Sequence, residues 1–157
     1  MQNLTRGDGG MEKYIIGEKF DKKFDFRATC FGICEKDNKI LLTFKANKNE
    51  YALPGGGIEK GEDFEACLRR ELQEETGYEI KSISELATID CFWLAGGKWP
   101  MESLANIFII EVGAKHAPTE EGCEAQWCEC SDAENILQLP YQKKALEIYL
   151  EKQSQKE

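Results

Sequence analysis

The chain has 157 residues, 20 basic and 29 acidic, for a formal charge of -9 at pH 7. That balance excludes roles resting on non-specific attraction to nucleic acid backbones, so no specific nucleic acid binding is expected and a phosphate-bearing ligand would need a counter-cation. At 41% apolar and 31% charged the composition is that of an ordinary globular domain, and no apolar run approaches the roughly 20 residues of a membrane span.

The amino terminus carries no apolar core of the kind a secretory signal needs, which makes a cytoplasmic location the expectation. Seven cysteines and a single histidine, His116, with no C-x2-C pair, read as reduced thiols buried in the core rather than as a zinc site. His116 lies in a turn-like segment and is given no catalytic role.

Residues 1–12 read as a flexible tail, with Gly7-Asp8-Gly9-Gly10 as a hinge and Met11 as an alternative start. Residues 13–152 read as one domain and residues 153–157 as a frayed end. Between Lys13 and Ala46 the strand-like stretches Tyr14–Ile16, Phe24–Cys34 and Ile40–Phe44 suggest an antiparallel meander. Pro54-Gly55-Gly56-Gly57 then interrupts regular structure ahead of a helix over about Asp63–Thr76, which Gly77 can end in a left-handed cap.

Strands are expected again at Tyr78–Leu94, Ser103–Val112 and Gln126–Cys130, with a loop over Gly113–Glu124. A last helix opens at Pro140 with Tyr141, Ala145, Leu146 and Tyr149 on one stripe. Strands on both sides of a central helix, closed by a second helix, predict an α/β architecture whose sheet is covered on both faces.

On a helical wheel of about 100° per residue, Phe64, Cys67 and Leu68 define an inward face, and Glu71 and Glu75 fall on that same face with Glu74 at its edge. Glu65, Arg69 and Gln73 occupy the opposite side. Like charges one turn apart on a buried face repel, so something positive must stand between them. Arg70 can neutralise one carboxylate. The excess suits a hard divalent cation with oxygen ligands, magnesium above all, and an exposed carbonyl in the glycine run can add a further ligand.

Gly56, five residues, Glu62, seven residues, and then Arg70-Glu71-Leu72-Gln73-Glu74-Glu75-Thr76-Gly77-Tyr78 closely resembles the Nudix box, G-x5-E-x7-R-E-U-x-E-E-x-G-U, with U a bulky aliphatic residue. Every charged and glycine position matches, and Tyr78 in the last U place is the departure. The resemblance implies the Nudix fold, an α/β/α sandwich with a curved mixed sheet, over about Lys13–Lys152. It also implies a MutT-like hydrolase that cleaves a nucleoside diphosphate linked to a further group X with Mg2+ or Mn2+.

Carried over position by position, it makes Glu71, Glu74 and Glu75 metal ligands with the Gly56 carbonyl, and Glu62, Arg70 and the adjoining Gly57 their support. Family members often carry a further catalytic glutamate in a later loop, and Glu121 resembles it, with Glu120 and Glu124 as alternatives. Either Glu74 or Glu121 then takes the proton of the attacking water. Phe92 and Trp93 are the candidate base-stacking residues, with Trp99 and Tyr51 behind them.

No proline follows Gly77 at the distance at which sugar-nucleotide members tend to carry one. A nucleoside triphosphate or modified nucleotide is therefore the first expectation, ahead of a nucleotide sugar or dinucleoside polyphosphate. A non-catalytic nucleotide-sensing module would be expected to lack acids of the box. The expected partner is a small nucleotide, and a homodimer is compatible with the sequence.

Overall fold

The computed structural model describes residues 2–4 and 11–156. In chain order the elements are β1 (Gln2–Leu4), β2 (Glu12–Ile16), β3 (Asp25–Ile33), β4 (Glu35–Lys36), β5 (Lys39–Lys45), β6 (Glu50–Ala52) and β7 (Gly55–Gly57), then α1 (Phe64–Glu75). After α1 come β8 (Tyr78–Ala95), β9 (Trp99–Lys115), β10 (Cys123–Glu129), α2 (Cys130–Ile136) and α3 (Pro140–Gln155).

Six strands form one sheet in the order β1-β2-β8-β9-β3-β7, and β10-β5-β4 form a second sheet with β6 paired to β5. The larger sheet is mixed: β2 runs parallel to β8 and β3 parallel to β9, while its other pairs are antiparallel. The meander expected over Lys13–Ala46 is therefore corrected. The long β8–β9 hairpin comes between β2 and β3, and only β4 and β5 form a local hairpin, turning through Asp37 and Asn38 with φ of 51° and 65°.

Alternation along the strands splits the interior into two layers. Phe31, Ile33, Ile40, Leu42 and Ile107 pack with Tyr141, Ala145, Leu146 and Tyr149 of α3. Their sequence neighbours Cys30, Leu41 and Phe108 point the other way and pack with Cys67, Leu68 and Leu72 of α1. Two-residue periodicity thus sends each strand's apolar side chains to both helical layers, which is the α/β/α sandwich.

Several boundaries differ from expectation. Gln2–Leu4 pair antiparallel with Lys13–Ile15 and Glu12 opens β2, while the Gly7–Gly10 hinge lies outside the described residues. Strand β9 starts at Trp99 rather than Ser103 because Trp99–Glu102 pair with Phe92–Ala95, and it runs to Lys115, which pairs with Tyr78. The short α2 has no counterpart in the sequence reading: its N-cap Glu129 makes no side-chain cap and Ala133 is its one buried residue, so it carries little local signal.

Helix α3 continues through Gln155 instead of fraying at 153, with the Lys156 N–H closing on the Gln153 carbonyl. Phe64, expected on the buried face, is 40% exposed and rests its ring against Phe108 at the open start of α1. Cys30, Cys34, Cys67 and Cys91 are buried, whereas Cys123, Cys128 and Cys130, also expected to be buried, lie half-exposed on β10 and the start of α2. No described helix is long and apolar enough to cross a membrane.

Candidate active site

The site is assembled where β7 meets α1. Strand β7 pairs with β3, Cys30 opposite Gly56, and carries the glycine run under the inward face of the helix. Gly55 has φ of +149°, and a Cβ there would stand 2.1 Å from the Cys30 carbonyl oxygen. A Cβ on Gly56 would stand 2.6 Å from Glu71 Oε1, so the missing side chain is what lets that carboxylate lie against the strand. Asp63 fixes the start of α1 by accepting the Ala66 N–H at 2.8 Å, and Thr76 and Gly77 close its end on the carbonyls of Leu72 and Gln73.

Glu71 and Glu75 are 9% and 1% exposed, so both inward acids of the sequence reading are buried. Arg70 organises the outer half of the cluster. It grips Glu62 in a two-pronged contact, Nε to Oε2 at 2.7 Å and Nη2 to Oε1 at 2.9 Å, and Nη1 reaches Glu71 at 2.8 Å and Glu74 at 3.3 Å. Its Nη2 also donates to the Gly57 carbonyl at 3.0 Å, which ties the glycine run to the helix. Glu62 Oε1 also accepts the Glu59 N–H at 2.8 Å. The Arg70 hydrogen bonds hold the Glu62 carboxyl down at about 2.

The inner half rests on Lys45, at the end of β5, whose Nζ lies 2.9 Å from Glu75 Oε2. The other oxygen, Oε1, accepts the Gly55 N–H at 2.8 Å. Burial still pushes Glu75 up to about 7, because Lys45 and the Gly55 N–H offset only part of the lost hydration. Glu71 is raised for the same reason, against the pull of Arg70. Burial acts to lower the Lys45 ammonium, and the attraction of Glu75, with a smaller one from Glu120, outweighs it.

The sequence reading gave Arg70 one carboxylate and left the remainder to a metal. Arg70 in fact contacts Glu62, Glu71 and Glu74, and Lys45 takes Glu75, so the positive charge beside the inner acids comes in part from the protein itself. Among the described residues no three His, Cys, Asp or Glu side chains stand as a ready ligand set, since these two cations engage the carboxylate oxygens. The donors nevertheless fit a hard divalent cation. Among the described residues Glu59, Glu62, Glu71, Glu74 and Glu75 are paired with Arg70 and Lys45, a net excess of three negative charges, and all the available donors are oxygen.

The loop after β9 reaches the end of α1 through the Glu120 N–H, which donates to the Glu74 carbonyl at 2.8 Å. The Glu120 carboxylate accepts from Cys123 Sγ and is the loop acid whose charge is felt at Lys45. Glu120, Glu121 and Glu124 are all exposed. Beside the cluster opens a cavity of about 120 Å3 whose lining includes Arg27, Lys45 and Lys48 together with Phe31, Leu139 and Tyr141. Trp93 does not line it but backs Tyr141, with ring centroids 6.1 Å apart, and its indole N–H donates to Ser103 Oγ at 2.9 Å. Phe92 is on the opposite face of β8, edge-on to Phe24. Arg27, Lys45 and Lys48 escaped the sequence reading because, among 20 basic residues, only pairing across strands brings them to the glycine run.

Comparison with known proteins identifies the family and the fold. The profile of the NUDIX domain matches residues 23–150. An ADP-ribose pyrophosphatase of Methanocaldococcus jannaschii is 51% identical over 57 residues, 33% of this chain and 34% of that protein, so the alignment spans about a third of the relative's length. The uncharacterized Nudix hydrolase YvcI of Bacillus subtilis is 29% identical over 111 residues, 69% of each chain. Among solved structures, a NUDIX hydrolase from Nitrosomonas europaea superposes with a TM-score of 0.67 at 20% identity, covering 78% of this chain and 87% of the other, a likeness of fold.

Proposed function

The chain belongs to the NUDIX domain family, and on that premise we propose that it is a pyrophosphohydrolase cleaving a diphosphate linkage in a nucleoside diphosphate joined to a further group. A nucleoside triphosphate or modified nucleotide is the first-ranked substrate. The observation carrying this reading is that Lys45 belongs both to the acid cluster and to the lining of the cavity. A ligand seated in the cavity therefore has its phosphates beside the carboxylates of α1.

Hydrolases of this family work with divalent metal ions, and here Glu71, Glu74, Glu75 and the Gly56 carbonyl would hold one, magnesium or manganese. Such an ion supplies Lewis acidity toward phosphoryl oxygens and lowers the pKa of bound water. The chain's own residues do the rest. Arg27, Lys45 and Lys48 bind and orient the phosphates for in-line attack, giving this acidic chain a local cationic patch. Arg70 and Glu62 hold Glu71 and Glu74 in place. A glutamate at the edge of the cluster, Glu74 or a loop acid, accepts the proton of the attacking water. Glu120 is better placed for this than Glu121, because its backbone is anchored to Glu74 and its charge reaches Lys45.

The identity with an ADP-ribose pyrophosphatase across 57 residues favours a second reading, a nucleoside diphosphate carrying a sugar. Incubation with nucleoside triphosphates, dinucleoside polyphosphates and ADP-ribose separates the two, with magnesium, manganese or chelator present and nucleoside monophosphate, phosphate and pyrophosphate measured. Metal-dependent release of a nucleoside monophosphate is expected. Nucleotide binding with no turnover under any metal would instead indicate a sensing module.

A further inference from the structure

We propose that two copies of this chain associate through the open end of the larger sheet, around Phe20, Phe26, Phe92 and Leu94. The face of that sheet that packs on α1 through Cys30 and Phe108 continues along the strands beyond those contacts. Phe26 and Phe92 both stand opposite Glu102 in the pairing of β3, β9 and β8, so the three form one row across the sheet. Phe26 is an even number of residues from Cys30, and Glu102 from Phe108, which keeps the row on the α1 side. Leu94, two beyond Phe92, shares that side.

The row is open to solvent: Phe26 is 59% exposed, and Phe20 and Leu94 are exposed as well. The segment ahead of β3 sets Phe24 edge-on to Phe92 with centroids 5.6 Å apart, and Phe20 edge-on to Phe24 at 5.0 Å, which extends the aromatic surface outward. Trp99, also exposed, stands at the tip of the β8–β9 hairpin. Among the described residues the exposed large apolar side chains thus gather at this end, with Phe64 the exception. Apolar surface collected in this way marks a contact site.

Charge decides the occupant. With a formal charge of -9, two copies repel over most of their surface. Between Gly17 and Phe26, however, Glu18, Asp21 and Asp25 interleave with Lys19, Lys22 and Lys23. Glu102 hydrogen-bonds Asp90, and Lys13 and Lys19 lie close enough to act on that pair. A strongly acidic or basic partner, an anionic membrane included, meets no net opposite charge here. A second copy does find its complement, because a two-fold axis through a face of mixed sign can set the lysines of one copy against the aspartates of the other.

The test is sedimentation velocity of the intact protein from micromolar to near-millimolar concentration, and a reversible dimer is expected. Phe26→Asp and Leu94→Asp should each weaken it at least about tenfold, while Phe64→Asp, away from this end, should leave it intact. To guard against misfolding, charges are also exchanged, Lys22→Asp with Lys23→Asp in one protein and Asp21→Lys with Asp25→Lys in another. Each alone should stay monomeric, and an equimolar mixture should form a heterodimer. A parent that is monomeric throughout overturns the proposal, as does a dimer untouched by Phe26→Asp and Leu94→Asp, or charge variants that fail to associate when mixed. A monomer that sediments with phosphatidylcholine vesicles makes the face a lipid contact and overturns it too.

Discussion

Lys45 Nζ stands 2.9 Å from Glu75 Oε2, so the most deeply buried acid of α1 meets its counter-charge on a strand that the sequence places well before the glycine run. Substituting Lys45→Met removes the only ammonium in that contact and leaves a carboxylate that burial already pushes up to about 7. The variant should be close to the parent at pH 5, where Glu75 can stay protonated. At pH 8 it should lose about 1–3 kcal/mol, equivalent to about 2–4 °C of melting temperature per kcal/mol. Equal losses at both pH values would mean that Lys45 acts through packing alone.

Removing carboxylate charge at constant shape tests the chemistry. Glu74→Gln and Glu75→Gln should each lower turnover by about two orders of magnitude or more, the scale of losing a metal-orienting or acid–base group. The amide oxygen that Glu75→Gln introduces can still accept the Gly55 N–H, so in chelator at pH 7.5 this protein should melt no lower than the parent, while the rise in melting temperature on adding magnesium should shrink. A variant that melts well below the parent in chelator would show that the Lys45 pair outweighs the cost of burying the charge.

The metal-free protein should lose stability as pH rises from about 5 to 7.5. Glu71, Glu75 and Asp90 all have carboxyls raised above their ordinary range, chiefly by burial. In that window the folded state retains protons that the unfolded chain has released, so stability falls with pH. Glu62, held at about 2, works in the opposite sense, but its window lies below about 4.5. Thermal unfolding in chelator across this range gives the slope directly, and a rising or flat profile would contradict it.

Asp90 provides a separate check away from the acid cluster. Burial and the neighbouring Glu102 push its carboxyl up to about 6, and its Oδ1 has no hydrogen-bond partner among the described residues. Asp90→Asn removes the charge, so it should raise the melting temperature by about 2–4 °C at pH 7.5, corresponding to about 1 kcal/mol, and by much less at pH 4.5. A destabilised variant at both pH values would point to a structural hydrogen bond through the other carboxylate oxygen.

The loop acids can be told apart kinetically. Glu120→Gln should reduce kcat by about tenfold or more with little change in the magnesium concentration needed for half-maximal activity, while Glu121→Gln should have a smaller effect. The reverse order would restore Glu121 as the group that takes the proton.

Much of this protein was legible in the residues alone. Helical periodicity placed Glu71 and Glu75 on the inward side of α1, the glycine run marked backbone that can come close to a ligand and offer a carbonyl, and the spacing from Gly56 to Tyr78 carried the family resemblance. These features are local, set by the pitch of one helix and the steric freedom of glycine, so they survive without knowledge of the rest of the chain.

Strand order, the separation of β2 from β3 by the β8–β9 hairpin, and the meeting of Lys45 with Glu75 are different in kind. One lysine among many carries no mark of its partner. Only the pairing of β5 with β6 and of β7 with β3, which brings backbone hydrogen bonds and apolar faces together across long stretches of chain, decides which cation stands beside the buried acids.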